Sequence, residues 1–164
     1  MKIIVLSDTH GAVDHLFQVT AMHQDADLLI HLGDGEKDLY HLFSNHPELE
    51  QKTYCLKGNC DFGILSQAMR TLELDLPYGH KIFAAHGDYY RVKYSSARII
   101  HEAREHQADI LLYGHTHVSE CRYEDGLYII NPGSLGIPRD YGKYSYALLD
   151  LSEQGVLANI ACLS

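Results

Sequence analysis

Five short segments of this sequence carry side chains that could hold divalent cations: Asp8-Thr9-His10-Gly11, Gly33-Asp34-Gly35, Gly58-Asn59-Cys60-Asp61, His86-Gly87-Asp88 and Gly114-His115-Thr116-His117. Carboxylate, amide oxygen and imidazole together suit Mn2+, Fe or Zn2+, where a soft thiolate set would suit other ions. Side chains two apart on an extended segment point the same way, so Asp8 with His10, and His115 with His117, can each present two ligands on one face. The adjoining glycines let the backbone turn sharply and come close to an ion. Taken singly, each segment has an ordinary structural account. Gly33-Asp34 is a common turn, Asp8 can cap a helix beside a surface His10, and Asn59 tolerates a left-handed turn. His86 can be a hydrogen-bonded core histidine, and His115 with His117 a surface doublet. The ordered set resists that account, because each member closes a run that reads as a strand.

Those runs must position the ligands. Lys2–Leu6, Leu28–Leu32, Thr53–Leu56 and Ile110–Tyr113 are short apolar runs stopped by polar or glycine residues, the pattern of buried strands. Val13, Leu16, Phe17 and Ala21 recur at helical spacing, and Leu39, Leu42 and Phe43 suggest a second, short helix. Leu72–Leu76 and Lys81–Ala85 read as a hairpin around Pro77-Tyr78-Gly79. Ser95 or Ser96 can cap a helix running to about Gln107, with Ile99, Ile100 and Ala103 inward. Val118–Tyr123 and Leu127–Ile130 flank Asp125-Gly126, a hairpin signal, and Tyr144–Leu149 and Val156–Cys162 read as two more antiparallel strands. The chain therefore begins as α/β and ends as mostly β, which predicts two sheets face to face with helices outside. In such sheets ligands bind beyond the carboxyl ends of the strands, so the five loops can converge. The opening turn lacks the G-x-G-x-x-G of a dinucleotide fold.

Bulk properties narrow the partners. The 164 residues provide one core and read as one domain over 1–164. With 22 acidic and 13 basic residues the net charge is −9, which speaks against a duplex nucleic-acid grip and leaves a small anionic substrate, drawn in by a local positive field. Cys55, Cys60, Cys121 and Cys162 form no C-x-x-C pair. The apolar run at Met1–Leu6 is too short for a signal peptide or a membrane span, which predicts a cytoplasmic protein with reduced thiols and no membrane partner. Of the 12 histidines, His15, His23, His41, His46, His80, His101 and His106 read as surface residues. Tyr89, Tyr90 and Tyr94, interleaved with Arg91 and Lys93, read as partly core and partly surface, and Tyr141 and Tyr144 could equally line a subunit contact. A homo-oligomer is left open.

The ordered series D-x-H, G-D, G-N-C-D, H-G-D and G-H-T-H, from Asp8 to His117, resembles the calcineurin-like metallophosphoesterases. The SDTHG start and the N-P-G-S at Asn131–Ser134 are most similar to their small bacterial and archaeal phosphodiesterase branch, the YfcE-type proteins. The resemblance implies an α-β-β-α four-layer sandwich of two mixed sheets. It implies one metal on Asp8, His10, Asp34 and His117, a second on Asp34, Asn59, His86 and His115, and Asp34 as the bridge. Mn2+ is the ion it favours, with Fe, Zn or Ni as the others. Two such ions would lower the pKa of a bridging water from about 15.7 towards ~7 and so supply a hydroxide to attack a phosphodiester. Asp34, Asn59 and Cys60 would then sit at the reacting centre.

Two positions depart from the wider family. Cys60 stands where a histidine is common, and a thiol is a weak donor; it could instead be a small buried filler. Asp88 stands where H-G-H is common and could orient His86 or face solvent. A phosphomonoesterase acting on a small metabolite uses the same two-metal core, and a scaffold of this fold, as in the retromer subunit, is the non-catalytic alternative. A metal-free flavin-binding α/β protein leaves the histidine pairs unexplained.

Overall fold

The structure, a computed structural model, describes residues 1–63, 65 and 68–163. In chain order it forms β1 (Lys2–Leu6), α1 (Val13–Met22), β2 (Leu28–His31), α2 (Glu36–Asn45), β3 (Thr53–Cys55), β4 (Thr71–Asp75), β5 (Lys81–Ala85), α3 (Ala97–Glu105), β6 (Ile110–Tyr113), β7 (Ser119–Glu124), β8 (Leu127–Pro132), β9 (Ser145–Ser152) and β10 (Gly155–Cys162). The strands make two five-stranded sheets, ordered β10-β9-β1-β2-β3 and β4-β5-β6-β8-β7.

Both sheets are mixed. In the first, β1, β2 and β3 run parallel and β9 is antiparallel to β1; in the second, β5, β6 and β8 run parallel and β4 and β7 are antiparallel edges. The alternation along β1 explains its apolar run. Ile3 and Val5 face the second sheet and pack with Ile82, Ala84, Ile110, Leu112 and Ile130. Ile4 and Leu6 face the other way, onto Leu16 and Val19 of α1 and Leu39 and Leu42 of α2. On the far side Ile99 and Ala103 of α3 cover Phe83 and Leu111. The result is the four-layer α-β-β-α sandwich that the sequence predicts. Strands buried on both faces carry no polar alternation, and each such side chain contributes roughly 1.5–3 kcal/mol.

Element ends differ by one to three residues from the sequence reading. α3 stops at Glu105 because Gln107 turns left-handed (φ 56°), and the N–H groups of Gln107 and Ala108 donate to the carbonyls of Arg104 (2.9 Å) and Ala103 (3.0 Å). That is a Schellman closure without its usual glycine. At the other end Ser95 Oγ accepts from Ala97 N–H at 3.2 Å, while Ser96 makes no cap bond. β9 runs past Leu149 to Ser152 because β10 pairs with it along its whole length, Ser152 opposite Gly155. Among the described residues no helix is long and apolar enough to cross a membrane.

Candidate metal centre

The parallel strands of both sheets end on one side. Asp8 follows β1, Asp34 follows β2, Asn59 follows β3, His86 follows β5, and His115 and His117 follow β6. Ligand atoms of Asp8, His10 and His117 lie within 4.8 Å of one another, as do those of Asp34, His86 and His115. In the first group Asp8 Oδ1 stands 3.1 Å from His117 Nε2 and 3.7 Å from His10 Nε2. In the second, His86 Nε2 stands 3.2 Å from Asn59 Oδ1, 3.2 Å from His115 Nδ1 and 3.4 Å from Asp34 Oδ2. Asp34 Oδ2 is also 3.7 Å from His10 Nε2, so it lies between the two groups. The residues singled out from sequence thus come together, Cys60 included, whose sulfur falls within 4.8 Å of ligand atoms of His10 and Asp34.

Each carboxylate is half anchored and half free. Asp8 Oδ2 accepts from Ser7 Oγ (2.5 Å) and from His115 N–H (3.0 Å), whereas Oδ1 is buried without a hydrogen-bond partner among the described residues. Asp34 Oδ1 accepts from Cys60 N–H (2.7 Å), leaving Oδ2 to face His10 and His86. An orphaned buried carboxylate oxygen is costly. That oxygen and Asp34 Oδ2, which faces His10 and His86, lie among imidazole nitrogens and form a donor set that fits cations.

The backbone pays a conformational cost to aim these groups. Asp8 (φ 54°), His10 (44°), Asp34 (58°), His115 (67°) and His117 (61°) all lie in the left-handed region. A non-glycine residue there costs roughly 1–2 kcal/mol, and such outliers gather at functional sites. Two glycines make the close approach of the loops feasible. A Cβ on Gly58 would overlap the Asp34 carboxylate and its backbone nitrogen, and one on Gly114 would overlap the Ser7 hydroxyl.

Hydrogen bonds fix the ring orientations. His117 Nδ1 donates to the Ile137 carbonyl at 2.7 Å and His86 Nδ1 to the Leu32 carbonyl at 2.9 Å, which leaves each Nε2 lone pair for the centre. Burial pushes His115 down to about 4, with His86 and Lys93 acting the same way, so its ring is neutral at pH 7. The Asp8 carboxylate, its Oδ1 3.7 Å from Nε2, raises His10 above its ordinary value. Burial opposes charge on His86, yet the hydrogen bond to Asp34 and the two carboxylates outweigh it and raise that ring too. Burial likewise opposes charge on Asp8 and Asp34, and the facing histidines hold both carboxyls below the usual range.

Several supporting residues carry no functional mark in the sequence. Asp61 accepts from the N–H groups of Asp34 (2.8 Å), Gly35 (3.1 Å), Glu36 (3.0 Å) and Gly58 (2.8 Å), capping α2 and tying two ligand loops together. Asn131 Nδ2 donates to the Gly114 carbonyl (3.1 Å) and Thr116 Oγ1 (3.0 Å), and Ser134 Oγ donates to the Asp8 carbonyl (2.7 Å). The N-P-G-S segment is therefore a brace. His31 is wholly buried beneath the centre, where its Nδ1 accepts from Gly33 N–H at 3.2 Å; inside a strand run nothing in the sequence marks it.

Three readings need correction. Cys60 is exposed, not a buried filler; partial desolvation and then Asp34 push its thiol up, so it stands as a neutral S–H. Asp88 does not orient His86, whose Nδ1 is taken by Leu32. His15, His23 and His80 are half-buried, bonded to the Leu135 carbonyl (2.7 Å), Tyr146 OH (2.9 Å) and Asp109 (2.5 Å), and His106 is half-buried against the Phe83 ring.

Residues 1–154 match the model of the calcineurin-like phosphoesterase superfamily domain. The chain is 36% identical over 154 residues to the probable metallophosphoesterase YsnB of Bacillus subtilis (strain 168), across 92% of this chain and 85% of that protein. It is 25% identical over 188 residues to the phosphodiesterase YfcE of Escherichia coli (strain K12), across 98% of each. A solved structure from Streptococcus pneumoniae TIGR4, described as a predicted phosphoesterase, shares its fold with a TM-score of 0.76 at 28% identity, covering 99% of this chain and 97% of that one.

Proposed function

The chain belongs to the calcineurin-like phosphoesterase superfamily, and from that premise we propose that it hydrolyses phosphodiesters with two divalent cations held side by side. The observation that carries this reading is a pair of carboxylate oxygens turned to the imidazoles, Asp8 Oδ1, buried with no hydrogen-bond partner among the described residues, and Asp34 Oδ2, shared between His10 and His86. Asp8, His10, Asp34 and His117 would hold one ion, and Asp34, Asn59, His86 and His115 the other. When bound, the pair would supply an activated water at neutral pH and neutralise charge growing on the phosphoryl oxygens. Asp8 and Asp34 would return only two negative charges to the four, leaving a positive hole in an acidic protein. Mn2+ is the ion we assign by family, and the cytoplasm the compartment.

Room for two ester arms favours a diester over a monoester. One open cleft of about 310 Å³ borders His10, Asp34 and Cys60 and reaches Lys37 and Phe62. A second, of about 520 Å³, borders His86 on the other side. The Cys60 S–H lies on the first cleft, where a departing alkoxide would need a proton. A thiol gives it weakly, so the enzyme would prefer esters with good leaving groups. Replacing Cys60 by histidine is expected to raise turnover most on esters with poor leaving groups; an equal effect on all esters would count against this role.

The test strips the protein with chelator, restores Mn2+, and compares bis(p-nitrophenyl) phosphate with p-nitrophenyl phosphate. Metal-dependent turnover with the diester preferred is the expected result. Preference for the monoester would replace the diesterase reading, and no turnover with both ions bound would favour a scaffold.

A further inference from the structure

The cleft beside His86 has chemistry that hydrolysis alone does not require. Lys57 and Arg70 line it, and among the described residues neither has an ion-pair partner. Two cations side by side make this cleft locally basic in a chain of net charge −9. Tyr89 lines the same cleft and is 66% exposed. Its pose is held from one side: the Arg98 guanidinium lies over the ring, 4.9 Å from the centroid, and Arg98 Nη1 donates to the Tyr89 carbonyl at 3.4 Å. Tyr90, the adjoining ring, is buried edge-on against Phe83 and anchors the segment in the core. Asp88 is the one carboxylate in the lining, suited to accept from a hydroxyl. The cleft volume of about 520 Å³ falls in the range of small-molecule sites, roughly 300–1,000 Å³.

An exposed aromatic face is a platform for a planar ring, and a lysine and an arginine together take a phosphate, one as a point charge and one as a planar fork. We propose that this cleft binds the retained arm of the diester and that the arm is a nucleotide: its base on Tyr89, its sugar hydroxyl at Asp88, and a second phosphate on Lys57 and Arg70. The proposal rests on the phosphodiesterase reading. With the retained arm here, the leaving arm occupies the opposite cleft at Cys60, which agrees with the proton-donor role given to that thiol.

Three chromogenic diesters separate the contributions on the Mn2+-loaded enzyme: bis(p-nitrophenyl) phosphate, the p-nitrophenyl ester of thymidine 5′-phosphate, and the same ester carrying a 3′-phosphate. The native enzyme is expected to favour the last over the second by about tenfold in kcat/KM. Lys57→Ala and Arg70→Ala should abolish that ratio, and Arg70→Lys should keep part of it. Tyr89→Ala should cost more on both thymidine esters than on bis(p-nitrophenyl) phosphate. An unchanged ratio in both cation variants, or equal losses on all three esters, would overturn the subsite. Should the native enzyme leave bis(p-nitrophenyl) phosphate uncleaved, the diesterase reading fails, and calorimetry with thymidine 3′,5′-bisphosphate decides the cleft separately. Binding weakened about tenfold in Lys57→Ala would uphold the cleft, and equal binding would refute it.

Discussion

The glycines at the two ends of the sheets have different jobs. At the ligand end, Gly58 and Gly114 have no room for a side chain, because each is pressed against a loop from elsewhere in the sequence. At the opposite end, Gly79, Gly126 and Gly155 sit in turns with positive φ (80°, 82° and 124°), and a Cβ there would meet nothing within 4 Å. Gly58 and Gly114 are needed for space, the far turns for a dihedral angle. Turn chemistry is local and self-sufficient, whereas the ligand end exists only when loops far apart in sequence, such as those of Asp8 and His115 at a separation of 107 residues, are in contact.

The comparison can be broken by exchanging the two kinds of position. Gly58→Ala should abolish high-affinity Mn2+ binding and lower diesterase activity by more than the roughly 100-fold seen for changes behind the ligands; intact activity would show that the loops need not touch. Asn131→Ala, which removes the brace on the Gly114 carbonyl and Thr116, is expected to cost about 10–100-fold in metal affinity. A fall in melting temperature with unchanged affinity would reduce Asn131 to a purely structural part. Gly126→Ala should cost only about 1–2 kcal/mol in denaturant stability, the strain of a left-handed alanine, with Mn2+ stoichiometry unaltered. The smallest effect concerns pH. Burial holds His31 below its ordinary value of 6.5, so the folded ring stays neutral where the unfolded one takes up a proton. Its contribution is full above that value and is lost as pH falls below it. In the chelated protein the change in urea midpoint from pH 7 to 5.5 should be less unfavourable in His31→Gln than in the native chain; parallel curves would remove His31 as a cause.

The same contrast decides what could be read from the residues alone. Asp125-Gly126 and Pro77-Tyr78-Gly79 announce their hairpins because the turn geometry is written in consecutive residues, and both hairpins form. The strand-end positions of Asp8, Asp34, Asn59, His86, His115 and His117 were legible for a similar reason: each interrupts an apolar run. Pairing across the sheets was not, since β6 lies parallel to β8 although β7 intervenes in sequence. The braces were hidden as well. Asp61, Asn131, Ser134 and His31 act through backbone groups far along the chain, and an acid or amide that ties down a distant N–H or carbonyl looks the same in sequence as one facing water. Asp61 lay inside a recognised motif with its role unmarked, and the N-P-G-S segment showed a resemblance without showing a task.

The proposed pair of cations bridged by Asp34 is tested by an equilibrium Mn2+ titration of the chelator-stripped chain, read by calorimetry in the native protein and in Asp34→Asn. Two tightly bound ions per chain are expected, with both weakened in the variant, because Asp34 Oδ2 faces His10 on one side and His86 on the other. A native chain that binds one ion or none, or a variant that still binds two at full strength, would contradict it.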